Sequence, residues 1–150
     1  MSENKTQPIK GSVEVFINAV EHKRRREDAQ LLLPLLSKCT GLEPQLWGSG
    51  LAGKPGSAIV GFGRYAYTYE SGRSGEFFMT GFSPRKANTA IYVLPGFKQY
   101  EKLLANLGPH RHSVSCLYLA NLAKNDLGAL EEILRDAFNK MKSSYEWWPK

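Results

Sequence analysis

The chain has 150 residues, with 20 Lys and Arg against 14 Asp and Glu for a formal net charge of +6, and 42% of its residues are hydrophobic. A chain of this length can bury roughly 68–70% of the surface its unfolded form exposes, so one domain with its own core is expected and no disulfide or metal staple is required. Near-average apolar and charged content excludes a disordered, collagenous or low-complexity protein, and no apolar run approaches the roughly 20 residues of a membrane span.

Residues 1–10 are polar and aperiodic and read as a loose lead-in without the apolar stretch of a secretory leader, so the expected location is the cytoplasm. Ser12 is placed to cap a short helix whose apolar stripe is Val13, Phe16, Ile17 and Val20. The basic run 22–26 then interrupts the stripe. Ala29, Leu32, Leu33, Leu36 and Cys39 resume it as a second helix, with Glu27 and Asp28 at its start, Gly41 just past its end, and a kink or break expected at Pro34. Residues 41–57 are rich in Gly and Pro and read as a loop carrying Trp47.

Beyond that loop the apolar period changes from 3.6 to 2. Strands are expected over 59–70, where Tyr65, Tyr67 and Tyr69 alternate, over 76–82 and over 89–94, joined by turns at 71–75 and 83–86. Tyr100, Leu103, Leu104 and Leu107 mark a short helix closed by Gly108 and Pro109, and 115–119 reads as a fourth strand. Asn125 and Asp126 open the clearest helix, whose stripe is Leu127, Leu130, Ile133, Leu134, Ala137, Phe138 and Met141. The expected product is one α+β domain over 11–145: an antiparallel meander with helices on one face, followed by a tail at 146–150. Cys39 and Cys116 lie far apart and outside any CxxC spacing, so both are expected as reduced thiols.

Several stretches in this order, 60–65 (VGFGRY), 67–73 (YTYESGR), 81–86 (GFSPRK), 107–110 (LGPH) and 115–118 (SCLY), resemble the YdhG-like family, a widespread bacterial domain of unknown function. The resemblance covers nearly the whole chain. It implies a frataxin-like sandwich of helix, sheet and helix, and, because some members are described as intracellular iron chaperones, it implies iron as a possible cargo. Hard carboxylate oxygens would hold such iron. The acids available for that are Glu27, Asp28, Glu131 and Glu132, but the stretch 22–28 that would carry them on the first side is net positive.

Charge resolved along the chain favours a different ligand. Residues 44–125 hold 9 basic and 3 acidic side chains, a balance of +6, while 1–43 and 126–150 contribute +1 and −1. A local excess attracts anions locally. Arg64, Arg85 and Lys86 are the leading candidates to bind one, converging at one end of the sheet with Trp47, Phe62, Tyr67 and Phe82 as aromatic walls, because guanidinium forks suit carboxylate and phosphate. The expected function is a small binding protein for an anionic small molecule or the acidic group of a protein partner.

The three tyrosines are expected to pack as core; an open tyrosine face would instead suit single-stranded nucleic acid, although no nucleic-acid-binding motif accompanies it. His110, His112 and Cys116 form a weaker soft-metal set, expected only if all three share one side of an extended segment. No GxSxG, P-loop or HExxH signature is present, and the oligomeric state is not legible.

Overall fold

The computed structural model describes residues 6–48, 58–72 and 74–149. Strand β1 (Gln7–Pro8) precedes helices α1 (Val13–Asn18) and α2 (Lys23–Thr40), and strands β2 (Pro44–Gly48), β3 (Ile59–Phe62), β4 (Arg64–Thr68), β5 (Ser74–Phe77), β6 (Thr80–Pro84) and β7 (Thr89–Tyr92) follow. After a 3₁₀ turn at Lys98–Tyr100 come α3 (Glu101–Leu107), β8 (Arg111–His112), β9 (Cys116–Leu119), a second 3₁₀ turn, α4 (Leu127–Ser144) and β10 (Trp147–Trp148). Seven strands form an antiparallel sheet in the order β1-β2-β3-β6-β7-β9-β8, and three form a second sheet in the order β10-β4-β5.

The α+β architecture follows from the two periodicities. Val60, Phe62, Phe82, Ile91, Leu117 and Leu119 alternate along their strands and join Leu32, Leu36, Leu130, Ile133 and Leu134 of the helices in one core. Helix α2 lies against β3, β6 and β7, and α4 lies against α2 and α3. Ser12 caps α1 by accepting from Val15 N at 3.2 Å, as the sequence predicts, and Asp126, expected with Asn125 to open α4, caps it by accepting from Ala129 N at 3.1 Å.

The basic run belongs to α2 rather than preceding it. His22 is the cap, its Nδ1 accepting from Arg25 N at 3.3 Å, and no acid occupies the first turn. Arg25 explains this start: it is 5% exposed, and its guanidinium donates to the carbonyl oxygens of Arg85 at 3.1 Å, Ala87 at 2.5 Å and Ala120 at 2.6 Å. One turn further on, buried Asp28 accepts from Leu122 N at 3.2 Å. The helix also runs through Pro34 without a break. Pro34 is exposed, as is Gln30, the residue whose carbonyl loses its helical donor, so the missing bond falls on the solvent side of the helix, where its cost is least.

The stretch expected as a loop over 41–57 contains strand β2, and Trp47 sits within it; residues 49–57 lie outside the described residues. Pro44 occupies the first strand position, where its missing N–H is tolerated. Leu46 enters the helical core while Trp47 turns to the other face, 1% exposed. There the indole lies on Gly61, where an added Cβ would stand 2.7 Å from Trp47 Cδ1 and 2.9 Å from Phe78 Cβ.

The expected strand over 59–70 is split at Gly63, whose φ of +71° turns the chain out of the large sheet. Strands β4 and β5 form a projecting hairpin, with Tyr65 opposite Phe77 and Tyr67 opposite Gly75, before β6 returns beside β3; Arg73, in the predicted turn, lies outside the described residues. Neither the lead-in nor the tail is wholly loose. Gln7 and Pro8 pair with Gly48 and Trp47, and Trp147 and Trp148 pair with Tyr65 and Arg64.

The three tyrosines divide between the two expectations. Tyr65 packs into a second cluster with Met79, Phe138 and Met141, Tyr67 is half-buried, and Tyr69 is 57% exposed, with Tyr65–Tyr67 and Tyr67–Tyr69 ring centroids 6.1 and 5.2 Å apart. Burial, reinforced by Tyr145, Tyr69 and Tyr67, pushes the Tyr65 hydroxyl up to about 12.

Removing the Arg25 side chain leaves three carbonyls without their donor, so Arg25→Ala is expected to lower the unfolding free energy by about 3 kcal/mol in urea melts. Arg25→Lys should recover less than half, because an ammonium lacks the planar fork; full rescue by lysine would contradict the clamp. Because Tyr65 is held neutral in the folded state, with a folded pKa above the ordinary value near 10, its contribution is complete below about pH 10 and disappears as pH rises through about 12. Thermal melts from pH 9 to 12 should show a steeper loss for the wild type than for Tyr65→Phe, and equal slopes would count against it.

Candidate functional site

The structure does not bring Arg64 to Arg85 and Lys86. In the β3–β6 pairing Phe62 faces Thr80 and Val60 faces Phe82, so Arg64 lies beyond the Thr80 end of β6 while Arg85 and Lys86 follow its Pro84 end. Arg64 pairs with Glu76 at 3.5 Å and places its Cζ 5.7 Å from the Trp47 ring centroid. Phe62 and Phe82 are fully buried in the core beneath the helices, and the Tyr67 ring covers Gly75. All four expected ligand-binding aromatics, Trp47, Phe62, Tyr67 and Phe82, thus pack against other parts of the fold and do not wall a site with Arg85 and Lys86.

What the structure does gather is a different set of cations. Arg85, Lys86, Ala87 and Asn88, in the turn between β6 and β7, face Arg111, His112 and Tyr118 of the β8–β9 hairpin across a hollow of about 540 Å³. Each wall is held by an identifiable contact. Arg85 N donates to Asn88 O at 2.9 Å to close the turn, and from beneath Arg25 grips the Arg85 and Ala87 carbonyls, leaving the side chains of Arg85 and Lys86 exposed. The register sets Arg111 opposite Tyr118, and Tyr118 opposite Ala90 of β7. Asn125 fixes the approach to β8 by donating to the carbonyls of Leu107 at 3.1 Å and Pro109 at 2.9 Å.

Arg85 donates to Tyr92 Oη at 2.8 Å, which aims the guanidinium along the sheet. The Tyr92 hydroxyl is pushed up by burial, with the adjacent Arg85 cation opposing that shift. His112 packs on Phe97 with centroids 4.5 Å apart and stands parallel to His110 at 6.2 Å. Its Nδ1 is 2.9 Å from the Ser113 carbonyl, which can only accept, so Nδ1 carries a proton. Among the described residues none of Arg85, Lys86 and Arg111 is in an ion pair, whereas Arg24, Lys38, Arg64, Arg135 and Lys140 all are. The lining includes no carboxylate among the described residues. Three unneutralised cations around one concavity can offer charge-assisted hydrogen bonds to a phosphate or carboxylate.

Arg111 escaped the sequence reading because β8 is only two residues long and carries no periodic signal. The one available clue was the charge excess of the middle segment, to which Arg111 belongs.

The acids considered for iron are separated. Glu27 and Asp28 each lie 3.5 Å from Arg24 near the start of α2, while Glu131 meets Arg135 at 2.9 Å and Lys38, near the end of α2, at 3.5 Å. Ten helical residues between Asp28 and Lys38 set these groups roughly 15 Å apart. The Arg135 hydrogen bond holds the Glu131 carboxyl below its usual range. The soft-metal set is divided too: His112 faces Leu117 in the hairpin register, so neighbouring Cys116 points to the opposite sheet face. Among the described residues no group of three or more His, Cys, Asp or Glu side chains could hold a metal ion, and no helix is long and apolar enough to cross a membrane. Comparison of the chain with protein-family models, with curated proteins and with solved structures finds no match.

Proposed function

We propose that the protein is a binding protein for an anionic ligand, a phosphate- or carboxylate-bearing small molecule or the acidic group of a protein partner, and that it holds this group in the hollow between the β6–β7 turn and the β8–β9 hairpin. The observation that carries this reading is the set of three cations, Arg85, Lys86 and Arg111, facing one hollow with no acid to neutralise them among the described residues. Unpaired like charges held near one another repel, and an incoming anion relieves that repulsion while accepting from two guanidinium forks. The clamp beneath the turn fixes the donors' backbone before the ligand arrives, which lowers the ordering cost of binding. Arg64 has no part in this site, since its charge is already shared with Glu76 and the Trp47 ring.

Titration calorimetry with inorganic pyrophosphate should give saturable binding that weakens as salt is raised. An Arg85→Ala, Arg111→Ala double variant should bind at least about tenfold more weakly, since each charge-assisted hydrogen bond contributes about 1.5–3 kcal/mol, whereas Arg64→Ala should bind as the wild type does. Undiminished affinity in the double variant, or equal loss in Arg64→Ala, would remove the site.

A further inference from the structure

Arg85 and Lys86 line not one concavity but two. On the side of the turn away from Arg111 a groove of about 1100 Å³ opens, shared by the same two residues. Its floor is apolar and crosses four neighbouring segments: Ile9 after β1, Leu46 of β2, Ala58 before β3 and Pro84 of β6. Adjacent strands are spaced about 4.8 Å, so this floor extends roughly 14 Å from the basic turn, enough for a medium-length alkyl chain. One wall is helix α1 and the residues just after it, presenting Val15, Phe16, Ala19 and Val20.

The apolar surface of this wall is unusually accessible. Helix α1 turns Val13 and Ile17 into the core, yet Val15 on its other side is 67% exposed and Phe16 only partly buried. The charges at the rim are mostly of one sign: among the described residues Lys10, Arg85 and Lys86 stand against a single carboxylate, Glu21, while Arg25 is already committed to its three carbonyls. An apolar trough ending at two cations outside any ion pair among the described residues, which in turn open onto a third, fits a molecule with an anionic head and an apolar tail.

We infer that the ligand is a single-chain amphiphile, an alkyl phosphate or carboxylate, whose head group lies at Arg85 and Lys86, the two residues common to both hollows, and whose tail lies in the groove between α1 and the β1–β2–β3–β6 end of the sheet. This inference rests on the anion-site reading and adds the chemistry of the remainder of the ligand. Head and tail contribute separately: the cations supply charge-assisted hydrogen bonds, and the groove removes methylene groups from water.

Calorimetric titrations with methyl phosphate and with octyl phosphate below its micelle concentration test the two halves. Wild-type protein is expected to bind octyl phosphate at least about tenfold more tightly than methyl phosphate, a modest share of what burying seven methylenes provides. Val15→Asp, at an exposed position where the fold tolerates it, should abolish most of that gain and leave methyl phosphate binding within about twofold. Filling the groove with Ala19→Phe should have the same effect without a new charge. The Arg85→Ala, Arg111→Ala variant should weaken both ligands.

Equal affinity for the two phosphates, lost in the arginine variant, would overturn the tail and leave the anion site standing. Octanol binding as tightly as octyl phosphate, with no effect of the arginine variant, would overturn the anion site and with it this inference. A gain from the octyl chain that survives both groove variants would overturn the assignment of the groove. If an acidic amphipathic peptide binds but no alkyl phosphate does, the amphiphile is likewise overturned.

Discussion

A guanidinium set under a β-turn draws carbonyl oxygens from separate segments toward one point, and Arg25 does this for residues 85, 87 and 120. Burial lowers its pKa and the nearby Asp28 opposes that shift, yet an arginine keeps its charge at any working pH, so the contact does not titrate away. Asp28, one helical turn later, takes the Leu122 amide. Together these two side chains dock the start of α2 onto a sheet turn and onto the segment leading into α4. The helical layer, the sheet and the candidate site are therefore positioned by polar contacts at one end of α2, while Leu32 and Leu36 supply the non-directional burial further along. Burial alone would tolerate sliding; three fixed carbonyls do not.

The two faces of the large sheet solve different packing problems. Beneath the helices, branched and aromatic side chains alternate and interdigitate in the ordinary way. On the other face Gly61 lies opposite Gly81, and Gly81 opposite Tyr92, so small residues leave room for large rings from neighbouring strands to lie across them. Trp47 uses that room, edge-on to Phe77 and Phe78 at 6.2 and 5.6 Å, and carries the Arg64 guanidinium above it. This aromatic ensemble accounts for Arg64 and Trp47 as a folding contact, which is why neither reaches the candidate anion site.

Much of the fold was legible because its signals are periodic. The stripe of α4, the alternation of 89–92 and the capping residues Ser12 and Asp126 each encode local structure in residues close in sequence. Less of the site was legible, for a physical reason that can be seen at three positions. Arg25 sits in a run of cations that looks solvated, and only the long-range carbonyls at 85, 87 and 120 reveal that it is buried. Arg111 belongs to a strand too short to have a period, and its partner is defined by the turn at 113–115. Arg64 stands in the same charge-rich span as Arg85, but a single left-handed glycine at position 63 sends it into another sheet. Composition located the basic segment correctly; pairing register decided which of its cations meet. The amphipathic character of the paired hollows is less legible still, since Ile9, Leu46, Ala58 and Pro84 come together only through the strand order.

The short strand at Trp147–Trp148 has a bearing on how the molecule opens. Its pairing with β4 adds a third strand to a hairpin that, as a two-stranded ribbon, would be marginal in water, and Trp147 joins Phe138 and Tyr65 in a small cluster distinct from the main core. Residues 147–148, the hairpin and the later turns of α4 thus share one apolar cluster, which Met79, Leu42 and Leu94 link to the rest of the fold. Loss of that pairing loosens the hairpin, while Trp47, packed on Phe77, still ties it to the large sheet. The basic hollow, held from beneath by Arg25, lies at the other end of β6 from this hairpin and does not depend on it.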